Sequence, residues 1–215
     1  MNNIEKMFEK SCDIKSFSSS YFDYLYKLLN ALDTDAIAAF VEEMEDARNN
    51  HNKILFIGNG GSAATASHIA NDFGTDILKK GGSNLSFRAM ALTDHMSVLT
   101  AIANDESYDN IFVNQLRIHY SPGDRLVAIS ASGNSPNLIE AAKWVKQRDG
   151  TVMSLVGFDG GKLKQISDVS IHVKTLNGEY GPVEDIHMIM DHLLANWFQC
   201  KIQKEVRESG KRNKI

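Results

Sequence analysis

From Lys53 onward the chain alternates short apolar runs with longer amphipathic stretches, and that alternation leaves few folds open. Ile54–Ile57, Ala89–Leu92, Leu126–Ile129, Val152–Val156 and Val169–His172 read as strands. Helical spacing fills the intervals at Ala63–Phe73, Ser97–Ala103, Asp109–His119, Asn137–Gln147 and Gly161–Ile166, and a last helix runs from Val183 to Glu205. Strands that are apolar throughout and separated by helices make a parallel sheet covered on both faces, an α/β domain. In such sheets ligands bind beyond the carboxyl ends of the strands, so the strand-to-helix turns are where chemistry is expected.

Before this pattern begins, residues 1–50 are helical. Phe22, Leu25, Leu28 and Leu29 form one stripe between Tyr21 and Leu32; Ile37, Phe40, Val41 and Met44 form another after the capping run Asp33-Thr34-Asp35. Such a pair cannot bury both faces alone and is a candidate oligomer surface. The organisation expected is a helical extension over 1–50, one domain over 51–205, and a basic solvated tail over 206–215. A length of 215 residues with 43% apolar side chains suits one such core. No apolar run approaches the ~18 residues of a membrane span, and the N-terminus lacks a signal peptide's apolar block. A soluble, cytoplasmic protein without a membrane partner is expected. Cys12 and Cys200 are too few for a disulfide framework or a thiolate metal site. A net charge of −4 argues against nucleic acid as a partner.

Three turns stand out. The first, Gly58-Asn59-Gly60-Gly61-Ser62, and the third, Gly157-Phe158-Asp159-Gly160-Gly161, are weak signals singly, since glycines after a strand often only relieve backbone strain. The second, Ser130-Ala131-Ser132-Gly133-Asn134-Ser135, precedes a helix opened by Pro136-Asn137. Hydroxyls, backbone N–H groups and a helix N-terminus converge there, which is what a phosphate monoester needs without any lysine. No Gly-Lys-Ser/Thr follows, so it is not a Walker loop. The spacing G-x-G-x-x-G is absent too, so no nucleotide cofactor is expected and a nucleotide-binding oxidoreductase is a poor reading.

The blocks "GNGGSAATASH", "AIANDESYDN", "ISASGNSPNLIEA", "GFDGGKL" and "EDIHMIMDH" occur in the order found in sugar isomerase (SIS) domain proteins of the phosphoheptose isomerase type. The resemblance spans about Leu28 to Gln199. It implies a flavodoxin-like parallel sheet, a homotetramer with active sites between subunits, and conversion of sedoheptulose 7-phosphate into D-glycero-D-manno-heptose 7-phosphate. Ser130, Ala131, Ser132 and Ser135 match the family's phosphate turn; Asn59, Gly60, Gly61 and Ser62 match the turn lining the sugar site; Asp105 matches an acid that contacts substrate hydroxyls. His68, Asp72, Glu184 and His192 match four positions that bind zinc in some relatives, with Asp72 and His192 as the acid–base pair.

The residues bear on this independently. His68 and Asp72, at i and i+4, share a helical face. Glu184 and His192, eight apart, sit ~80° apart in azimuth and two turns apart along their helix. A carboxylate and an imidazole on one cleft can move protons through an enediol, and two of each suit a zinc ion. Without the resemblance, Glu184, Asp185 and Asp191 read as a solvated acidic face, and His187 as a satisfied core or interface histidine. Four departures mark the chain: Asp72 replaces a Glu, Glu184 a Gln, Ala131 a Thr, and Gly181 an Asp. SIS domains also serve as non-catalytic sugar-phosphate sensors, or as adaptors binding a replication-initiation protein. That is the alternative reading.

Overall fold

The structure, a computed structural model, describes residues 1–81 and 86–212. Three helices lead: α1 (Asn3–Lys10), α2 (Ile14–Asn30) and α3 (Thr34–Asn49). The sheet elements follow as β1 (Lys53–Gly58), α4 (Gly61–Asn71), α5 (Ile77–Gly81), β2 (Arg88–Ala91), α6 (Met96–Asp105), α7 (Val113–His119) and β3 (Arg125–Ser130). Then come α8 (Pro136–Lys146), β4 (Thr151–Val156), α9 (Gly161–Ile166), β5 (Val169–His172) and α10 (Tyr180–Arg212). All five strands pair in parallel in the order β2-β1-β3-β4-β5. That is the flavodoxin-like order, with the topological switch between β1 and β3. Gly58 sits opposite Ile129, so β1 and β3 end together and release their turns side by side.

Alternation along each strand builds two cores. Ile54, Phe56, Val127, Ile129, Met153 and Leu155 face a layer made by α3, α4 and α10, with Phe40, Met44, Ile69, Val183 and Met190. Leu55, Ile57, Leu126, Ala128 and Val152 face Leu116, Leu138, Val145 and Leu163 on α7, α8 and α9. Burying one such side chain is worth about 1.5–3 kcal/mol, so both layers are committed to the sheet.

The structure departs from expectation at the helix ends. An additional helix, α1, forms through a capping box between Asn2 and Glu5, although it buries nothing. Helix α2 starts at Ile14 rather than Tyr21, because Asp13 and Ser16 cap each other there. The stretch after α4 continues as a π-helical turn, Asp72–Asp76. Helix α10 carries straight on to Arg212, so the basic tail is helical over 206–212, and residues 206–208 are exposed; residues 213–215 lie outside those described. Helix α2 also ties down the start of α10: Tyr21 donates to Asp185 at 2.5 Å, and Tyr24 donates at 2.5 Å to Glu179, which is buried and also accepts from the Asn3 backbone N–H. No described helix is long and apolar enough to cross a membrane.

Candidate active site

The serine turn leaves the end of β3 and runs into α8. Ser130 Oγ accepts from the Gly133 N–H at 3.1 Å, and Ser132 Oγ accepts from the Asn134 N–H at 3.3 Å. Ser135 is the N-cap of α8 yet makes no capping bond, which leaves its hydroxyl for a ligand at the positive end of that helix. With Asn59, Ser62, Tyr180 and Glu184 these residues line a cleft of about 160 Å³. Gly133 has φ +62°, and a Cβ on it would lie 2.1 Å from the Gly160 carbonyl oxygen. The third turn therefore buttresses the second, an arrangement completed by the Leu163 N–H donating to the Gly133 carbonyl.

Asn59 is locked rather than free. Its amide and that of buried Asn137 donate to each other at 2.9 Å, and Tyr108 Oη donates to Asn59 Oδ1 at 3.0 Å. This reciprocal pair bolts the β1 and β3 turns together across the switch point. On the other side, a Cβ at Gly61 would meet Glu184 Oε2 at 2.5 Å, so the carboxylate rests over the N-terminus of α4.

Further along the same two helices lies a second cluster. His68 Nε2 is 3.3 Å from His192 Nε2, 3.5 Å from Asp72 Oδ2 and 3.8 Å from Asp191 Oδ2. One donor atom from each of these four residues falls within 4.8 Å of all the others. His68 and His192 are exposed, but Asp191 is fully buried and neither of its oxygens accepts a hydrogen bond. Burial, and then the nearby Asp72 carboxylate, push Asp191 up to about 7. One turn earlier, His187 is fully buried with neither ring nitrogen in a well-formed hydrogen bond, and only the Val156 backbone opposes the desolvation that lowers it to about 4.

The structure thus brings together Asn59, Ser62, Ser130, Ala131, Ser132, Ser135 and Glu184 at one end, with Gly60 and Gly61 forming the start of α4. It brings together His68, Asp72 and His192 at the other. Glu184 does not join that second group within the protomer, and Asp105, exposed at the end of α6, joins neither. The reading of Asp191 as part of a solvated face is corrected by its burial, while His187 lies in the core, with only the Val156 backbone near its ring. Sequence reasoning passed over Asn137, Tyr108 and Tyr180. Asn137 carried the best signal, an amide directly after the proline that opens α8.

The SIS-domain family model matches residues 20–157, well over half of the chain. The chain belongs to the SIS-domain family. It is 36% identical to a phosphoheptose isomerase of Aromatoleum aromaticum over 203 residues, covering 93% of this chain and 94% of that one. Among solved structures it superposes on the phosphoheptose isomerase GmhA of Neisseria gonorrhoeae with a TM-score of 0.74 at 31% identity, covering 86% of this SIS domain protein and 97% of that chain. A phosphoheptose isomerase from Francisella tularensis gives 0.73 at 25% identity, covering 95% and 100%. These relatives place the chain among SIS enzymes of the phosphoheptose isomerase type.

Proposed function

We propose that the protein interconverts an aldose and a ketose bearing a terminal phosphate, with sedoheptulose 7-phosphate giving D-glycero-D-manno-heptose 7-phosphate as the reaction. The carrying observation is the span between the two clusters. Helices α4 and α10 pack side by side, with Gly61 against Glu184 at one end and His68 against His192 at the other. Seven or eight helical residues separate these contacts, a distance of about 11–12 Å. From C1 of a heptulose 7-phosphate to phosphorus there are eight single bonds, which advance about 10 Å when extended. A triose phosphate, with four such bonds, reaches about half as far. With its phosphate in the serine turn, a seven-carbon chain presents its carbonyl to Asp72 and His192.

There one of the pair removes the C1 proton while the other protonates the C2 oxygen, giving an enediol. Reprotonation at C2, with loss of the proton from the C1 oxygen, yields the aldose. The Ser130, Ser132 and Ser135 hydroxyls and the N-terminus of α8 hold the phosphate. His68, Asp72 and His192, joined by an unpartnered buried carboxylate, fit a divalent cation such as zinc. When bound, the cation would polarise the substrate carbonyl.

A homotetramer in the cytoplasm, with sites closed between subunits, belongs to the same reading. The clefts at the two ends hold only about 160 and 150 Å³, short of the ~300 Å³ at which ligand sites begin, and a second subunit supplies the missing wall. Phe22, Tyr26 and Trp197, each more than half exposed, offer the apolar surface for it.

The test is direct: incubation with sedoheptulose 7-phosphate, with and without zinc, yields an aldose phosphate. Absence of turnover on every ketose phosphate, with phosphate-ester binding intact, would instead make the protein a sensor; a single stoichiometric protein partner in a pull-down would make it an adaptor.

A further inference from the structure

Asp191 lies on the buried side of α10, and its burial asks for an explanation. A carboxyl group taken out of water is paired, protonated or bound to a metal, since leaving it charged and bare costs several kcal/mol, and even a protonated one needs hydrogen-bond partners. This one is fully buried, and neither oxygen accepts a hydrogen bond. Its Oδ2 faces His68 Nε2 at 3.8 Å. The three edges that run from His68 Nε2 are close to those of a tetrahedral ion, and all four donors lie within 4.8 Å of one another. Zinc bonds to imidazole and carboxylate of about 2.0–2.2 Å set edges of roughly 3.3–3.6 Å between donors. The two imidazole nitrogens are 3.3 Å apart and the His68–Asp72 edge is 3.5 Å; the His68–Asp191 edge needs a few tenths of an ångström.

We infer that Asp191, and not Glu184, is the fourth protein donor of a divalent-cation site completed by His68, Asp72 and His192. Glu184 is held elsewhere, over the N-terminus of α4 and in the wall of the serine cleft. The two carboxylates changed in this chain, Asp72 and Glu184, therefore do separate work: Asp72 joins Asp191 in neutralising a dication, while Glu184 stays in the wall of the serine cleft. The inference deepens the isomerase reading and rests on it for the cation's task, though not for its binding.

The test uses full-length protein stripped of metal and titrated with Co2+, whose visible absorption reports ligand number where zinc is silent. Wild type takes up one equivalent per chain, and excess Zn2+ displaces it. Asp191→Asn, close to isosteric, lowers affinity by about 100-fold or more, the upper end of what even an outer-sphere partner costs. Glu184→Gln leaves the affinity and spectrum unchanged. Should the metal-free state of Asp191→Asn be disputed, Asp191→Leu decides it: removing a bare buried charge raises the melting temperature without metal and abolishes the rise on adding Zn2+. Unaltered Co2+ affinity in Asp191→Asn, loss of affinity in Glu184→Gln, or no uptake by wild type each overturns the inference. Turnover is scored separately. Co2+ uptake through Asp191 with no isomerisation overturns the isomerase reading alone, and isomerisation with no uptake overturns this one alone.

Discussion

The two ends of the α4–α10 pair solve opposite problems. At the serine end every group is neutral except Glu184, and the turn is held by its own hydrogen bonds, by the Asn59–Asn137 amides and by the glycine contact with the third turn. At the histidine end four ionisable groups crowd together, and one of them is buried bare. The first end is finished without a ligand and can bind by geometry alone. The second is left electrostatically open, which is where perturbed ionisation and chemistry gather. Binding and reaction are separated along one helix pair.

The largest effect that tests this division is at His192. His192→Ala lowers kcat by about 10³-fold with little change in KM, as loss of a positioned acid–base group does; steady-state kinetics on the ketose phosphate reads both, and an effect confined to KM would erase the distinction between the ends. Next is Gly133→Ala. A positive φ and a Cβ only 2.1 Å from the Gly160 oxygen should cost about 3 kcal/mol in chemical denaturation and take phosphate binding with it. Loss of stability with binding preserved would show that the turn does not need its buttress.

A comparable effect comes from pH. His187 titrates near 6.5 when unfolded and at about 4 when folded, so the unfolded state takes up more protons between these values. Its stabilisation is present in full above pH ~6.5 and is lost as pH falls toward 4, by about 3 kcal/mol. Asp191, raised to about 7, works in the opposite sense across the same window, so the check is the difference between two proteins. Urea midpoints of wild type and His187→Met should diverge as pH falls from 6.5 toward 4, with wild type losing the more stability. The smallest change is Ser130→Ala. It raises KM about tenfold, near 1.4 kcal/mol, and leaves kcat close to wild type. An equal fall in kcat would mean that the serines also act on the transition state.

The sheet is legible in the sequence because its central strands β1, β3 and β4 are buried on both faces and read as near-continuous apolar runs, a pattern that depends on local composition alone. The serine turn is legible for a similar reason: Ser130 to Ser135 are contiguous and follow a strand. The histidine end is legible only in part. His68 and Asp72 sit one turn apart, but the placement of Asp191 depends on which side of α10 meets the sheet. That side includes Val183, His187, Asp191 and Leu194, so two ionisable residues stand on an otherwise apolar stripe. An acid there is the sign of a non-solvent partner, and a motif match centred on Glu184 draws attention away from it. Asn137 is hidden for another reason. Its partner, Asn59, is distant in the chain, and only strands ending together bring the two amides into reach.

The tyrosines of α2 have a consequence for how this enzyme can be handled. Tyr21 and Tyr24 grip Asp185 and Glu179 on either side of Glu184, while Phe22 and Tyr26 on the same helix look outward. One short rod is thus both handle and latch. Trimming the first two dozen residues, or fusing a bulky module against them, releases the front of the longest helix and loosens the mouth of the sugar-phosphate cleft while leaving the sheet whole.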